Sequence, residues 1–209
     1  MQNVYEARTR DARSAQAVAR VALARLDGDL RAYRAQRRAA RELLVWLAQS
    51  SLGGANAPLS VGTSAAGQPF LLAGETPVRD VSVSLSHSQD WIAAGLARGG
   101  RLGIDVEREN PRRRVAAMAE WMGWPECHEP DAFYSAWTYH EARIKCRGGD
   151  SPRGDQGVSP LAPGAPTSRH HAHWVRPVPD VHACMLVETD RPQRLEWSAT
   201  GLERPSTWS

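Results

Sequence analysis

Three short blocks of this chain carry residue types suited to phosphoryl chemistry. Val83-Ser84-Leu85-Ser86-His87-Ser88 comes first, Leu102-Gly103-Ile104-Asp105-Val106-Glu107 second, and Trp137-Thr138-Tyr139-His140-Glu141-Ala142-Arg143-Ile144-Lys145 third. Asp105 and Glu107 stand two apart on a predicted strand, so their side chains leave the same face. There they repel unless a cation or a basic group joins them. Mg²⁺ takes a few carboxylate oxygens, keeps waters and completes its shell from substrate phosphates. Glu141 offers a third carboxylate from a predicted helix. Lys145, one turn further on, shares that face and can reach the same phosphate. Ser86-His87-Ser88 at a strand end supplies hydroxyls, an imidazole and turn amides, all able to hold an anion. A nucleophilic Ser-His pair is disfavoured, because adjacent strand residues point to opposite faces. Taken singly, each block also reads as ordinary surface: strand-end acids in water, a helix Glu-Lys pair, a polar turn.

The elements that must position these residues follow from period and punctuation. Val4-Tyr5 reads as the start of a strand and Arg8 to Arg25 as a polar, Ala-rich helix. Leu30 to Ser51 is a stronger helix. Leu30, Tyr33, Ala40, Leu43, Leu44 and Leu47 recur at three- and four-residue steps, with Arg34, Arg37, Arg38 and Arg41 on the neighbouring face. Gly53-Gly54 suits its C-terminal end. Val81, Val83 and Leu85 alternate with serines, as on a half-buried strand. Trp91 to Ala97 and Leu102 to Glu107 follow, divided by the turn Arg98-Gly99-Gly100-Arg101, and a three-strand meander is the simplest assembly. Val115 to Trp121 and Ala132 to Cys146 are helical in pattern, Val181 to Glu188 is a strand, and the Gly-, Pro- and Ser-dense stretch 148–180 reads as irregular. Helix, strands, helices and strand in that order give an α+β class.

At 209 residues and 42% hydrophobic content the chain can bury a core as one domain or as two packed halves. No apolar run is long enough to cross a bilayer, and the first residues lack a signal peptide's apolar stretch, so a soluble cytoplasmic protein is expected. Cys127, Cys146 and Cys184 are sparse and odd in number, which points to buried free thiols rather than a disulfide framework. Lys145 is the single lysine; the remaining basic residues are arginines, whose planar fork suits phosphate. A codon bias toward arginine explains the composition equally well. His170, His171 and His173 lack a carboxylate or cysteine at ligand spacing and read as a solvated loop. The eight tryptophans read as core or interface material.

In order and spacing the blocks resemble the surfactin-type 4′-phosphopantetheinyl transferases, which move phosphopantetheine from coenzyme A to a serine of an acyl or peptidyl carrier protein. The resemblance rests on the arginine helix Arg34 to Arg41, Gly67-Gln68-Pro69, Ser86-His87-Ser88, Gly103-Ile104-Asp105-Val106-Glu107 and Trp137-x-x-His140-Glu141-Ala142-x-x-Lys145. It spans roughly Leu30 to Lys145. It implies two similar α/β halves about a pseudo-twofold axis with the ligand cleft between them, here residues 1–108 and 109–209. It implies Mg²⁺ on Asp105, Glu107 and Glu141, and coenzyme A held by Arg34, Arg38, Arg41, Ser86, His87, His140 and Lys145. His87 and Ser86 would take the 3′-phosphate end. Glu126, in Trp121-Met122-Gly123-Trp124-Pro125-Glu126, stands where the family carries a candidate general base; Lys145 and Glu107 would join it in catalysis. The implied partner is a carrier protein, with no nucleic acid and no membrane, and such enzymes are commonly monomers.

The chain departs from the family at Gln68 and His140, where a lysine or arginine is usual, and at Ser84, where asparagine is common. Losing a charge-assisted contact costs about 1.5–3 kcal/mol, which weakens coenzyme binding without abolishing catalysis. After Lys145, Gly148-Gly149 begins the family's glycine turn, but residues 150 to 168 show no recognisable pattern. The alternatives are a diverged module that binds coenzyme A or a carrier without transfer, a metal-dependent phosphate hydrolase, and an α+β domain with accidental motif matches.

Overall fold

Alternating and three-to-four periods sort the apolar residues of this chain onto four stacked layers. A computed structural model describes residues 18–26, 33–52, 57–148, 170–190 and 194–200. The elements are β1 (Val18–Arg25), α1 (Tyr33–Leu52), β2 (Leu59–Thr63), β3 (Pro69–Ala73), β4 (Thr76–Pro77), β5 (Val81–Ser88), β6 (Trp91–Arg98) and β7 (Arg101–Arg108). They continue with α2 (Val115–Met122), α3 (Pro130–Cys146), β8 (His170–Val178), β9 (Val181–Glu188) and β10 (Arg194–Thr200). The class is α+β, with three small sheets ordered β10-β1-β6-β5, β2-β3-β4 and β7-β9-β8.

The leucine stripe of α1 covers one face of the first sheet. Leu43, Leu44 and Leu47 pack there with Ala22, Ala24, Ile92, Ala94 and Leu96. The other face of the same strands, with Ala19, Val21, Leu23, Trp91, Ala93 and Ala97, lies on Leu102, Ile104 and Val106 of β7 and on Val181, Ala183, Met185 and Val187 of β9. Side chains of opposite parity thus serve two cores, as strand geometry requires. On the far side of the third sheet, Ala142 and Cys146 of α3 meet Cys184 and Leu186. Helix α3 opens with Pro130 in its first turn, carries Asp131 there, and closes on Arg143 and Lys145, each matching the helix dipole. Among the described residues no helix is long and apolar enough to cross a membrane. The three cysteines are buried and free.

Several expectations are corrected. Val18–Arg25 is a strand, not part of a helix. It is buried on both faces, so it lacks a polar alternation, and its neighbours override the helix preference of alanine. Strands β5 and β6 form a hairpin, but β7 leaves the expected meander and pairs antiparallel with β9. The sheets therefore do not divide at residue 108, since β7 belongs with β9 and β8, while β10 returns to pair parallel with β1. Residues 170–178 form strand β8 rather than an irregular stretch or a histidine loop. Pro177 is tolerated because β8 is an edge strand whose register shifts between Val175 and Val178. The expectations for Val4-Tyr5, Arg8 to Ala17, Gly53-Gly54 and residues 149–169 lie outside the described residues.

Candidate functional site

Strands β5 and β7 run side by side, and serine hydroxyls join them in place of a backbone ladder. The amides of Leu102, Ile104, Val106 and Arg108 donate to Ser82, Ser84, Ser86 and Ser88 Oγ at 3.0, 3.0, 3.2 and 3.2 Å. Strand alternation puts all four serines on one side of β5, while Val83 packs into the α1 core on the other. Two of these hydroxyls reach onward to the acids of β7. Ser86 Oγ donates to Asp105 Oδ1 at 2.7 Å and Ser88 Oγ to Glu107 Oε2 at 2.8 Å. The first two predicted blocks thus meet side by side.

The third block arrives because Gly103 has no side chain. A Cβ there would stand 1.8 Å from Ala142 O and 2.6 Å from Cys146 N, so the backbone of α3 lies directly on β7. Lys145 is thereby delivered to Asp105. Its Nζ donates to Asp105 Oδ1 at 2.6 Å, to Ser86 Oγ at 3.1 Å and to Ile104 O at 3.1 Å. All three ammonium protons are engaged. Ser86 is equally saturated, donating once and accepting from Val106 N and Lys145 Nζ.

Asp105 is buried, and its Oδ2 has no hydrogen-bond partner among the described residues. Burial is the first cause that holds Glu107 above its ordinary pKa, and the charge of Asp105 adds to it; Ser88, Arg113 and Lys145 oppose them. Glu141 is raised by burial, then by Asp105, with Lys145 opposing and Glu107 adding. The three acids therefore share one electrostatic field. Among the described residues no three His, Cys, Asp or Glu side chains stand close enough to enclose an ion. Mg²⁺ requires no such cage, being held through one or two carboxylates with water and phosphate. An all-oxygen set with an orphaned buried carboxylate oxygen fits that ion.

The remaining predicted residues are spread more widely. His87 faces α1, with its ring edge-on to Tyr33 at 5.2 Å between centroids. Burial first, then Lys145 and Arg37, hold it below its ordinary 6.5. Arg37 lies 5.8 Å from the Tyr33 ring centroid. Arg34 is exposed, Arg38 pairs with Glu42 at 2.8 Å, and Arg41 donates to Val61 O at 2.9 Å and Thr63 Oγ1 at 2.5 Å. Gln68 reaches the end of α3, where a Cβ on Gly148 would lie 2.7 Å from its Nε2. His140 packs on Trp124 and Trp137 at 5.4 and 6.4 Å between centroids. Glu126 is exposed between α2 and α3. Of the tryptophans, Trp91 and Trp124 are buried, whereas Trp46, Trp121 and Trp174 are exposed.

Sequence reasoning missed the neighbours of the site. Ser84, marked only as a departure from a family pattern, accepts the Ile104 amide. Asp90, buried in the β5–β6 turn, receives Arg25 Nε at 2.9 Å and Arg108 Nη1 at 2.8 Å, while Arg108 Nε reaches Asp180 at 2.8 Å. This clamp ties the ends of β1, β5, β7 and β8 together. The even spacing of Ser82, Ser84, Ser86 and Ser88 was the available signal for the seam; Asp90 had none. No family model matches the chain, and no curated protein matches it.

Proposed function

We propose that this protein is a Mg²⁺-dependent transferase of the phosphopantetheinyl type, moving the phosphopantetheine of coenzyme A to a carrier-protein serine. The supporting observation is the hydrogen-bonded cluster Ser86–Asp105–Lys145, with Glu107 and Glu141 in its field. In this reading the α1–sheet and α3–sheet layers are the two halves of a pseudo-symmetric fold, with the coenzyme at the edge where β5 meets β7. Asp105, Glu107 and Glu141 would supply one or two carboxylates to Mg²⁺, which when bound supplies charge neutralisation on the diphosphate oxygens.

The chain's own residues then divide the work. Lys145 and Ser86 fix Asp105 Oδ1 and leave Oδ2 for the cation. His87, with Arg34, Arg38 and Arg41 on α1, receives the 3′-phosphate end, and His140 lies at the aromatic wall of α3. Glu126, open to an incoming serine, takes its proton. The serine Oγ bonds to the phosphorus bearing the pantetheine, the diphosphate P–O bond breaks, and adenosine 3′,5′-bisphosphate leaves. A non-transferring binding module is the second reading, favoured by His140 packing on tryptophans and by the full engagement of the Lys145 protons.

Intact-mass analysis of an apo carrier protein incubated with this protein, coenzyme A and Mg²⁺ tests the proposal. Gain of one phosphopantetheine, lost on chelation and in Asp105→Ala, is expected. Coenzyme A binding with no mass gain across several carriers would transfer support to the binding module.

A further inference from the structure

Arg113 belongs to none of the three blocks, yet the fold brings it against one of them. It sits in the turn between β7 and α2, which is pinned at both ends. Asn110 Oδ1 accepts Arg112 N at 2.9 Å, Asn110 O accepts Arg113 N at 2.9 Å, and Asn110 N donates to Tyr134 Oη at 2.8 Å. The guanidinium lies over the Tyr134 ring, 5.3 Å from its centroid. Its Nη1 stands 3.6 Å from Glu107 Oε2, close enough for charge attraction but too far for a hydrogen bond. That nitrogen is buried and has no hydrogen-bond partner among the described residues.

A plain counter-ion would close on its carboxylate. Here Ser88 already donates to Glu107 Oε2, and the tyrosine ring holds the guanidinium plane short of it. The result is an arginine fixed in place and left unsaturated beside the acids that would carry a cation. A planar fork in that state suits a phosphate oxygen. We propose that Arg113 is a diphosphate-binding residue of this site, with Tyr134 holding its plane and Glu107 its direction. The inference rests on the transferase reading, since it takes the ligand to be a diphosphate held beside Mg²⁺.

The test titrates the full-length protein, in saturating Mg²⁺, with inorganic pyrophosphate and separately with adenosine 3′-monophosphate, which carries the coenzyme's 3′-phosphate and no part of its diphosphate. Arg113→Gln should weaken pyrophosphate about tenfold or more, as loss of a charge-assisted bond does. Arg113→Lys should weaken it less, because the charge remains and the fork does not. Affinity for the monophosphate should hold in both variants. Unchanged pyrophosphate affinity overturns the inference, as does an equal loss for both ligands or a loss for the monophosphate alone. If Arg113→Gln does not fold, the same two affinities in Arg113→Lys decide. Wild-type protein that binds neither ligand overturns the transferase reading itself, and the inference with it.

Discussion

Helices α1 and α3 each lie on a sheet, but they are held there by different forces. Beneath α1 the contact is leucine on alanine and isoleucine, with Leu43, Leu44 and Leu47 sealed against β1 and β6. Beneath α3 the apolar contact shrinks to Ala142, Cys146, Cys184 and Leu186. The rest of that interface combines Tyr134 stacked on His182 and Tyr139 on Trp174 with Asp105 and Glu107 below and Glu141 and Lys145 above. One layer is secured by burial, at about 25 cal/mol per Å² of apolar area. The other gives up much of that gain to keep acids and a lysine where water is scarce, and it recovers attachment through a glycine that lets backbone meet backbone. Apolar burial is concentrated in the first layer and titratable groups in the second.

The widest difference should come from shaving the α1 core. Leu44→Ala should cost about 2–5 kcal/mol in a urea titration, from lost transfer energy and the cavity left behind. A loss well below that would break the contrast. Next comes Lys145→Met, which strands the charge of Asp105. Breaking a buried pair costs about 3–5 kcal/mol, and partial exposure of Lys145 puts this case near the lower end. The double variant Asp105→Asn with Lys145→Met should recover a good part of that stability. Additive losses would show that the pair is not coupled. Ser84→Ala should cost about 1–2 kcal/mol, because it leaves the buried Ile104 amide without an acceptor. An unchanged denaturation midpoint would mean that the seam between β5 and β7 carries no energy.

The smallest expected effect is in pH dependence, and its sign differs between the acids facing α3 and the clamp at Arg108. Glu107 and Glu141 have folded pKa values raised above the ordinary 4.5, by burial first and then by Asp105. The folded state therefore holds their protons more tightly. Their contribution to stability is full below 4.5 and is lost as pH rises through the folded values. At the clamp, burial of Asp90 acts upward but hydrogen bonds from Arg25 and Arg108 prevail, and Arg108 lowers Asp180. Those two acids contribute above the ordinary 3.8 and lose it as pH falls through their folded values. Glu107→Gln combined with Glu141→Gln should flatten the fall of the urea midpoint above pH 4.5, and Asp90→Asn should flatten the fall on the acid side. Equal slopes in wild type and variants would dissolve the distinction.

The same division governs how much was legible in the sequence. Helix α1 has one exposed and one buried side and β5 alternates apolar residues with serines, so their periods show plainly, while β6, buried on both faces, shows as an unbroken apolar run. Strand β1 is buried on both sides and its alanines mimic a helix; only α1 on one face and the β7–β9 sheet on the other decide the outcome. The polar, Pro-bearing β8 looks like a loop because its strand character comes from pairing with β9. At the site, Asp105, Glu107, Glu141 and Lys145 were marked by type and spacing. Arg113 and Asp90 were not, because what distinguishes them is a tyrosine ring and a distant arginine brought near by the fold.

The parallel pairing of β10 with β1 has a bearing on how the molecule is made. The first described strand of the sheet beneath α1 waits for the last one, across nearly the whole chain. Contacts that far apart in sequence carry a large loop-closure entropy and slow a folding reaction. During synthesis, β1 can take up its antiparallel partner β6 long before β10 has left the ribosome, so one flank of β1 stays open until the end.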